Sequence, residues 1–403
     1  MVTSFAHRMG RHLTCAGALV ALACGAPVCA RTITVTSNIL ASFEGETLSH
    51  AVLTAQDGDI IDFDLPHPST ITFNFGLTLD KDVTIVGPGS DNLVLDGNFD
   101  PNFFMLTVAG GHTLTISGLQ ISAAGANALI NNGTLTLDHV VMANNSGSLI
   151  SSGTLTVNDS TFRQNTRANF GGAISGSGSA HVTVNRSNFF GNGAGVGGAG
   201  IYIPAGGTLV VNDSAFVSNV SDGAGSAGRG GAILSFGNAT VKASTFSGNA
   251  SDANGTGGAI ESTGSLIVDS STFAANVGLG GGGAISNLGT ATVSRTIVVG
   301  DCNGTAIVSA GDNIGTDTSC FANSAALNDR QNLDPHLGGL GDFGGGTITY
   351  ALLPGSPAID AVIVNAATCS GTDQRGAPRP MGTRCDIGAF EFDPDRIFAS
   401  GFD

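Results

Sequence analysis

Apolar and polar positions alternate along most of this chain in short runs. GDIIDF (58–63), STITF (69–73), KDVTIVG (81–87) and NLVLDGN (92–98) change character almost residue by residue. A period of two sends successive side chains to opposite faces, so each run predicts a β-strand with one buried face. Gly, Asn, Asp and Ser separate the runs and mark turns. One stretch differs. Within 44–56, Leu48, Ala51, Val52 and Ala55 recur at helical spacing, which predicts a helix ahead of the strands, placed as a lid.

Farther on the alternation becomes a repeat. GTLTVNDSTFRQN (153–165), AHVTVNRSNFFGN (180–192), GTLVVNDSAFVSN (207–219), GNATVKASTFSGN (237–249) and GSLIVDSSTFAAN (264–276) align without gaps. Phe162, Phe189, Phe216, Phe246 and Phe273 fall in register, at steps of 27, 27, 30 and 27. Three residues after each Phe stands an Asn: Asn165, Asn192, Asn219, Asn249 and Asn276. Between them runs GGAI, at 171–174, 230–233, 257–260 and 282–285, with GGAGI (197–201) as a variant. Degenerate copies flank the set, with Ile121, Met142 and Val298 at the Phe position and Asp301 at the last Asn position.

Units of about 20–30 residues, each with three short strands, predict a solenoid. The fold class is all-β: a single-stranded, right-handed parallel β-helix with a short N-terminal capping helix and an irregular, disulfide-linked C-terminal cap. Roughly ten coils at the ~4.8 Å strand spacing give a rod about 50 Å long. The Phe column is read as an inward aromatic ladder, each ring burying about 150–250 Å². The Asn column is placed at a corner, where its amide takes an unusual φ and bonds the coils above and below. The paired Gly of GGAI permit a turn at φ > 0 and close approach between coils.

The termini carry other signals. Arg8 and Arg11 precede an apolar run and small residues at 28–30, the plan of a secretory signal peptide over 1–30. Cys24 after Ala21-Leu22-Ala23 leaves a lipoprotein reading open. The expected divisions are 1–30 signal, 31–109 N-terminal cap and first coils, 110–301 repeats, 302–392 C-terminal cap and 393–403 tail. Past the signal remain Cys302, Cys320, Cys369 and Cys385. An even number in an exported chain suggests disulfides, and proximity favours Cys302–Cys320 and Cys369–Cys385. No later run is long and apolar enough for a membrane helix.

The GGAI and FxxN motifs resemble the repeats of chlamydial polymorphic outer-membrane proteins, over about residues 110–301. That resemblance implies a β-helical surface adhesin. The membrane β-barrel that ends those proteins has no counterpart after residue 301, so autotransport is not implied. PGSPAID, TDQRGAPRP and CDIGAFE, within 333–392, resemble the choice-of-anchor Q domain of bacterial secreted β-helix proteins. The tail IFASGFD is similar to an IFADGFE-type ending of secreted proteobacterial proteins. Together these imply a secreted or cell-surface protein of a Gram-negative bacterium.

Composition narrows the chemistry. Gly is 61 of 403 residues, charged residues are 11% and the net charge is −16. Loss of 1–30 takes two Arg and no acids, which leaves −18. That balance excludes nucleic acid as a partner. A pectate-lyase-type site needs a Lys or Arg base and clustered carboxylates for Ca²⁺. Beyond the signal there are two Lys, Lys81 and Lys242. Arg163, Arg167, Arg186, Arg229 and Arg295 are read as mostly exposed corners. The varying positions Asp159, Arg186, Asp213, Ala243 and Ser270 put no base with several carboxylates on any one coil. The paired Asp, Gly-His-Gly and Arg-x-Lys of galacturonases are missing. His112, His139, His181 and His336 are dispersed. With no Trp, and with Tyr202 and Tyr350 isolated in the sequence, no sugar platform is evident. Asp360, Asp373, Arg375, Arg379, Asp386 and Glu391 form the dense charged cluster, read as an ion-paired cap with anchoring as the alternative. The reading is a monomeric, exported, non-catalytic β-helix without cofactor, an adhesin or structural protein with a surface glycan or protein as ligand. The alternative is a polysaccharide lyase or glycoside hydrolase on the same fold, or an inactive relative.

Overall fold

In a computed structural model, the chain forms a right-handed parallel β-helix. The structure describes residues 30–40, 45–147, 149–223, 228–252, 254–321 and 327–393. The predicted signal peptide and tail lie almost wholly outside these.

Three parallel faces build the rod. Face A has 12 strands, from Thr32–Val35 to Val308–Gly311; face B has 11, from Ser69–Thr72 to Ile314–Gly315; face C has 10, from Leu77–Leu79 to Cys302–Gly304. A short fourth sheet of five strands lines the loops between B and C. The register is uninterrupted through the repeats, so each inward residue sits on its equivalent in the next coil. Leu155, Val182 and Leu209 stack on face A, and Ile174, Ile201 and Ile233 on face C.

The Phe rings stack inside face B at centroid distances of 4.6–4.9 Å, within 4–7° of parallel. All five are fully buried. The strand spacing forces this offset: one ring per coil lies at about the distance aromatic stacks prefer. The Asn column is buried too. Asn192 Nδ2 donates to Asn219 Oδ1 at 2.8 Å and to Phe162 O at 3.0 Å, and Asn192 N donates to Asn219 Oδ1. Each amide therefore satisfies a corner whose backbone has left the ladder. The unusual φ is not at these Asn. It falls one residue earlier, at Gln164 (φ 55°), Ser218 (55°) and Ala275 (57°). The Asn stays in an ordinary conformation so that its side chain can point in.

In GGAI the two Gly do different things. Gly171 turns at φ 74°, and a Cβ on Gly172 would lie 2.3 Å from the carbonyl oxygen of Gly193 in the next coil.

The ends differ in construction. The helix spans Leu48–Thr54, with Thr47 as N-cap accepting from His50 N, and buries Leu48 and Ala51 over the first coils. At the other end the Cys302–Cys320 disulfide and Phe321 join the main core and close it. The rest of the C-terminal segment does not stay at the end. The hairpin Leu337–Asp342 and Ile348–Leu352 and the chain beyond it, through the Cys369–Cys385 disulfide, run back along the outside of face B. Asn188 Nδ2 donates to Gly346 O, Ser247 Oγ bonds Tyr350 OH, and Ala389 N donates to Thr272 Oγ1. Outward residues of face B are buried where this flank lies, as at Thr245 and Thr272, and half-exposed before it, as at Val141 and Thr161. A second core joins Ile297 and Ile314 of the rod to Leu352, Val362, Ile387 and Phe390 of the flank. No described helix is long and apolar enough to cross a membrane.

Candidate functional site: a polar groove beside the corner ridge

Face A turns into face B at one residue per coil, and that residue takes a left-handed backbone: Asp159, Arg186, Asp213, Ala243, Ser270 and Arg295 have φ between 43° and 52°. The residue before each ends a face A strand and points outward. In register these are Asn158, Asn185, Asn212, Lys242, Asp269 and Ser294. The three Asn form an external ladder, Nδ2 to Oδ1 at 2.9 Å in both steps. The residue after each is buried. Ser160, Ser187, Ser214 and Ser244 each take an amide hydrogen from the coil before and donate to the backbone two residues back. An Asn-x-Ser triplet thus divides into an outward ladder, a left-handed turn and an inward ladder.

Where the flank passes this ridge it encloses a groove of about 350 Å³. Asn185, Asn212, Asp213, Lys242, Asp269, Ser270 and Arg295 form the rod wall; Thr368, Ser370, Thr372 and Arg379 form the flank wall. The sequence scattered these acids and bases over successive coils. Stacking at one strand spacing collects them, although no single coil does. Asp269 is fully engaged: Arg295 Nη2 lies 2.5 Å from its Oδ2, and Ser294 Oγ donates to its Oδ1. Lys242 is exposed, and among the described residues its ammonium has no hydrogen-bond or ion-pair partner. The Asp213 carboxylate has no hydrogen-bond partner there either. Burial pushes its pKa up to about 6, against the pull of Arg186, so it exchanges a proton near neutrality.

The charged cluster of the C-terminal segment lies behind the flank wall. Arg379 Nη1 is 2.9 Å from Glu391 Oε2, and Arg375 Nη2 is 2.6 Å from Asp373 Oδ2. Asp386 accepts from Asp360 N and Phe392 N, and Asp360 accepts from Arg384 N. Asp373, Asp386 and Glu391 are buried and share two guanidinium groups. Burial, then the Glu391 charge, pushes Asp386 up to about 7. All six predicted residues belong to this one network, with Arg379 alone reaching the groove lining.

The rod is similar to the structure of pectate lyase Pel9A. The TM-score is 0.51 at 16% identity, over 90% of this chain and 96% of that one. An alginate lyase from Paenibacillus sp. str. FPU-7 aligns with TM-score 0.41 and 15% identity, over 70% and 95% of the two chains. A rhamnogalacturonan lyase aligns with TM-score 0.39 and 9% identity, over 81% and 96%. No family model and no curated protein matches the chain. The likeness is one of fold.

Other predicted positions fall elsewhere. Asp57, Asp82 and His112, and Asp138, His139 and Asp159, come together as two small groups, exposed or half-exposed. Both oxygens of Asp159 are taken by Arg186. His181 bonds Thr208 on the open side of face A. Besides Arg186, and Arg167 whose Nη1 donates to Asn127 Oδ1, two more Arg expected at exposed corners are not free. Arg295 is mostly buried against Asp269, and Arg229 pairs with the fully buried Glu261 at 2.5 Å. Tyr202 is not isolated in space: Phe170 stacks on it at 4.6 Å and Phe236 meets it edge-on at 5.7 Å. The signal for that cluster was distributed over three coils, where linear distance hides it.

Proposed function

We propose that this protein is an exported, non-catalytic polysaccharide-binding β-helix acting at the cell surface or outside it, as an adhesin or structural component, with the groove beside Asp213 and Lys242 as its ligand site. The observation that carries this reading is the free ammonium of Lys242 among amide, hydroxyl and carboxyl groups that converge on one concave wall. Lys242 supplies a point charge for a sugar carboxylate. Asn185, Asn212, Ser270 and Thr372 supply donors and acceptors for hydroxyls. The fold it shares with polysaccharide lyases, and the resemblance of its flank to the choice-of-anchor Q domain, support a glycan partner outside the cell.

A second reading has its own observation. Lys242 and Asp213 together are a base and an acid of the kind that elimination from a uronate requires. Calcium is poorly served there: it takes six to eight oxygens, Asp269 is already engaged by Arg295 and Ser294, and Asp213 is the one carboxylate left. Binding without turnover is therefore the favoured reading. Affinity electrophoresis in pectate or alginate gels tests it. Retardation is expected for the wild-type protein and a loss of about tenfold in affinity, roughly 1.4 kcal/mol, for Lys242→Ala. No retardation in any acidic glycan would overturn it. An absorbance rise from unsaturated uronates, abolished by Lys242→Ala or Asp213→Asn, would establish the lyase instead.

A further inference from the structure

The groove beside the corner ridge is lined by charges of both signs: Asp213, Lys242, Asp269, Arg295 and Arg379. Most of them are matched on the spot. Arg295 donates to Ser270 and Asp269 on the rod and to Thr368 on the flank, so it bridges the two walls and is fully committed. Arg379 donates to Glu391 Oε2 and to the carbonyls of Asp386 and Gly388. The charges just outside the lining are matched too. Arg186, one coil earlier on the ridge, holds both oxygens of Asp159. Asp373, behind the flank wall, is held by Arg375. What remains is Lys242 and Asp213, whose charged groups have no hydrogen-bond or ion-pair partner among the described residues.

Asp213 is held in place. Its N–H donates to Lys242 O at 3.1 Å in the next coil. Thr347 Oγ1 of the flank donates to its carbonyl oxygen at 3.1 Å. With a left-handed φ of 52° between these anchors, the short side chain stays in the lining, half-buried between rod and flank. Ionised, its carboxylate offsets the Lys242 ammonium and the groove carries no net charge. Protonated, it leaves Lys242 unopposed and becomes a hydrogen-bond donor itself. One proton therefore sets the sign of the field that an incoming anion meets. Burial pushes the pKa of Asp213 up to about 6, with Asp373 adding to the push and Arg186 and Arg379 opposing it. A uronate carboxyl, exposed to water, stays ionised down to about pH 4.

We propose that Asp213 is the specificity-determining group of this groove: protonated, it admits the carboxylate of an acidic glycan beside Lys242, and ionised, it repels that carboxylate. The inference rests on the groove being the ligand site. Its consequence is a protein that holds polyuronates in mildly acidic surroundings and releases them above neutrality. By linkage, a bound uronate raises the proton affinity of Asp213 in return, so binding near neutrality takes up a proton.

Isothermal titration calorimetry with soluble oligogalacturonate and oligomannuronate, at constant ionic strength, tests this. Wild-type affinity for the one it binds should fall about tenfold between roughly pH 5 and roughly pH 8. Asp213→Asn should bind at both as the wild type does at the lower pH, and Lys242→Ala should bind weakly at both. Repeating the wild-type titration near neutrality in buffers of different ionisation enthalpy should reveal proton uptake, which Asp213→Asn should lack. Asp386, behind the flank wall, also exchanges a proton near neutrality, and charges elsewhere act on wild type and variant alike. A pH dependence that survives in Asp213→Asn therefore overturns the assignment. Equal wild-type affinity at both pH values overturns it too and leaves the groove as ligand site. No binding at either pH overturns the groove and the inference together.

Discussion

Each coil corner is held by three residues with separate tasks, and the Phe column beside it carries the largest buried side chains of the rod. Phe216 lies in the middle of that column, between Phe189 at 4.6 Å and Phe246 at 4.9 Å. Removing its ring opens a cavity that neighbouring strands cannot close, because the ladder hydrogen bonds fix their spacing. Phe216→Ala should cost about 3–5 kcal/mol. Phe190, next to the column residue Phe189, points outward and is half-exposed, and Phe190→Ser should cost little. Urea unfolding of both variants checks this, and equal midpoints would contradict the assigned register. The column was readable in the sequence because Phe recurs at a fixed step and nothing else there is as large. The Ser column was not. Asn158-Asp159-Ser160 reads as a chance sequon until the turn at Asp159 turns its Asn outward and its Ser inward. The left-handed residue is the hidden hinge, and Asp, Arg, Ala and Ser all occupy it.

At the scale of elements, the flank behaves differently from the coils. Coils hold one another by ladder bonds; the flank is held by side-chain bonds to Asn188, Thr245, Ser247 and Thr272 and by its own buried charges. Its path was not legible, since no periodicity runs through 302–392. The groove was missed for the same reason, since half of its wall belongs to the flank. The buried charges make the flank sensitive to pH. Asp386 is raised to about 7 and Asp213 to about 6, both above an unfolded carboxyl near 4. At these two groups the folded state therefore binds more protons than the unfolded state, so their contribution to stability is full below about pH 4 and is lost as pH rises to about 7. Each unit of separation is worth ~1.4 kcal/mol. Asp386→Asn removes the larger contribution and should flatten the profile. Denaturant unfolding from pH 4 to 8 measures the slope; a variant as steep as the wild type would show that Asp386 is not the proton-binding group.

Across the whole molecule, stability in a solenoid is close to a sum over neighbouring coils, so anything that ties several coils together creates a gradient. The flank binds the rod from Asn188, through Gly346, to Arg295, through Gly388, and the second core joins it to Ile314. Among the described residues, the coils carrying 113–143 have no such partner. Their side-chain column on face B is Ile121 and Met142, without the stacked rings of Phe162 to Phe273. The lid Leu48–Thr54 covers only the first coils. Local opening should therefore begin in the N-terminal half, between lid and flank, and the coils from Thr208 to Val298 should open last. Hydrogen exchange read by mass spectrometry at rising urea would resolve this peptide by peptide. Strands Thr113–Ser117 and Thr134–Asp138 are expected to lose protection at lower urea than Thr208–Asn212 and Ser265–Asp269, which occupy equivalent places on face A. Length and hydrogen bonding are alike in these strands, so a difference reports what lies around them. Equal midpoints would make the rod a uniform stack and the flank a passive cover; the reverse order would place the strongest clamp at the lid.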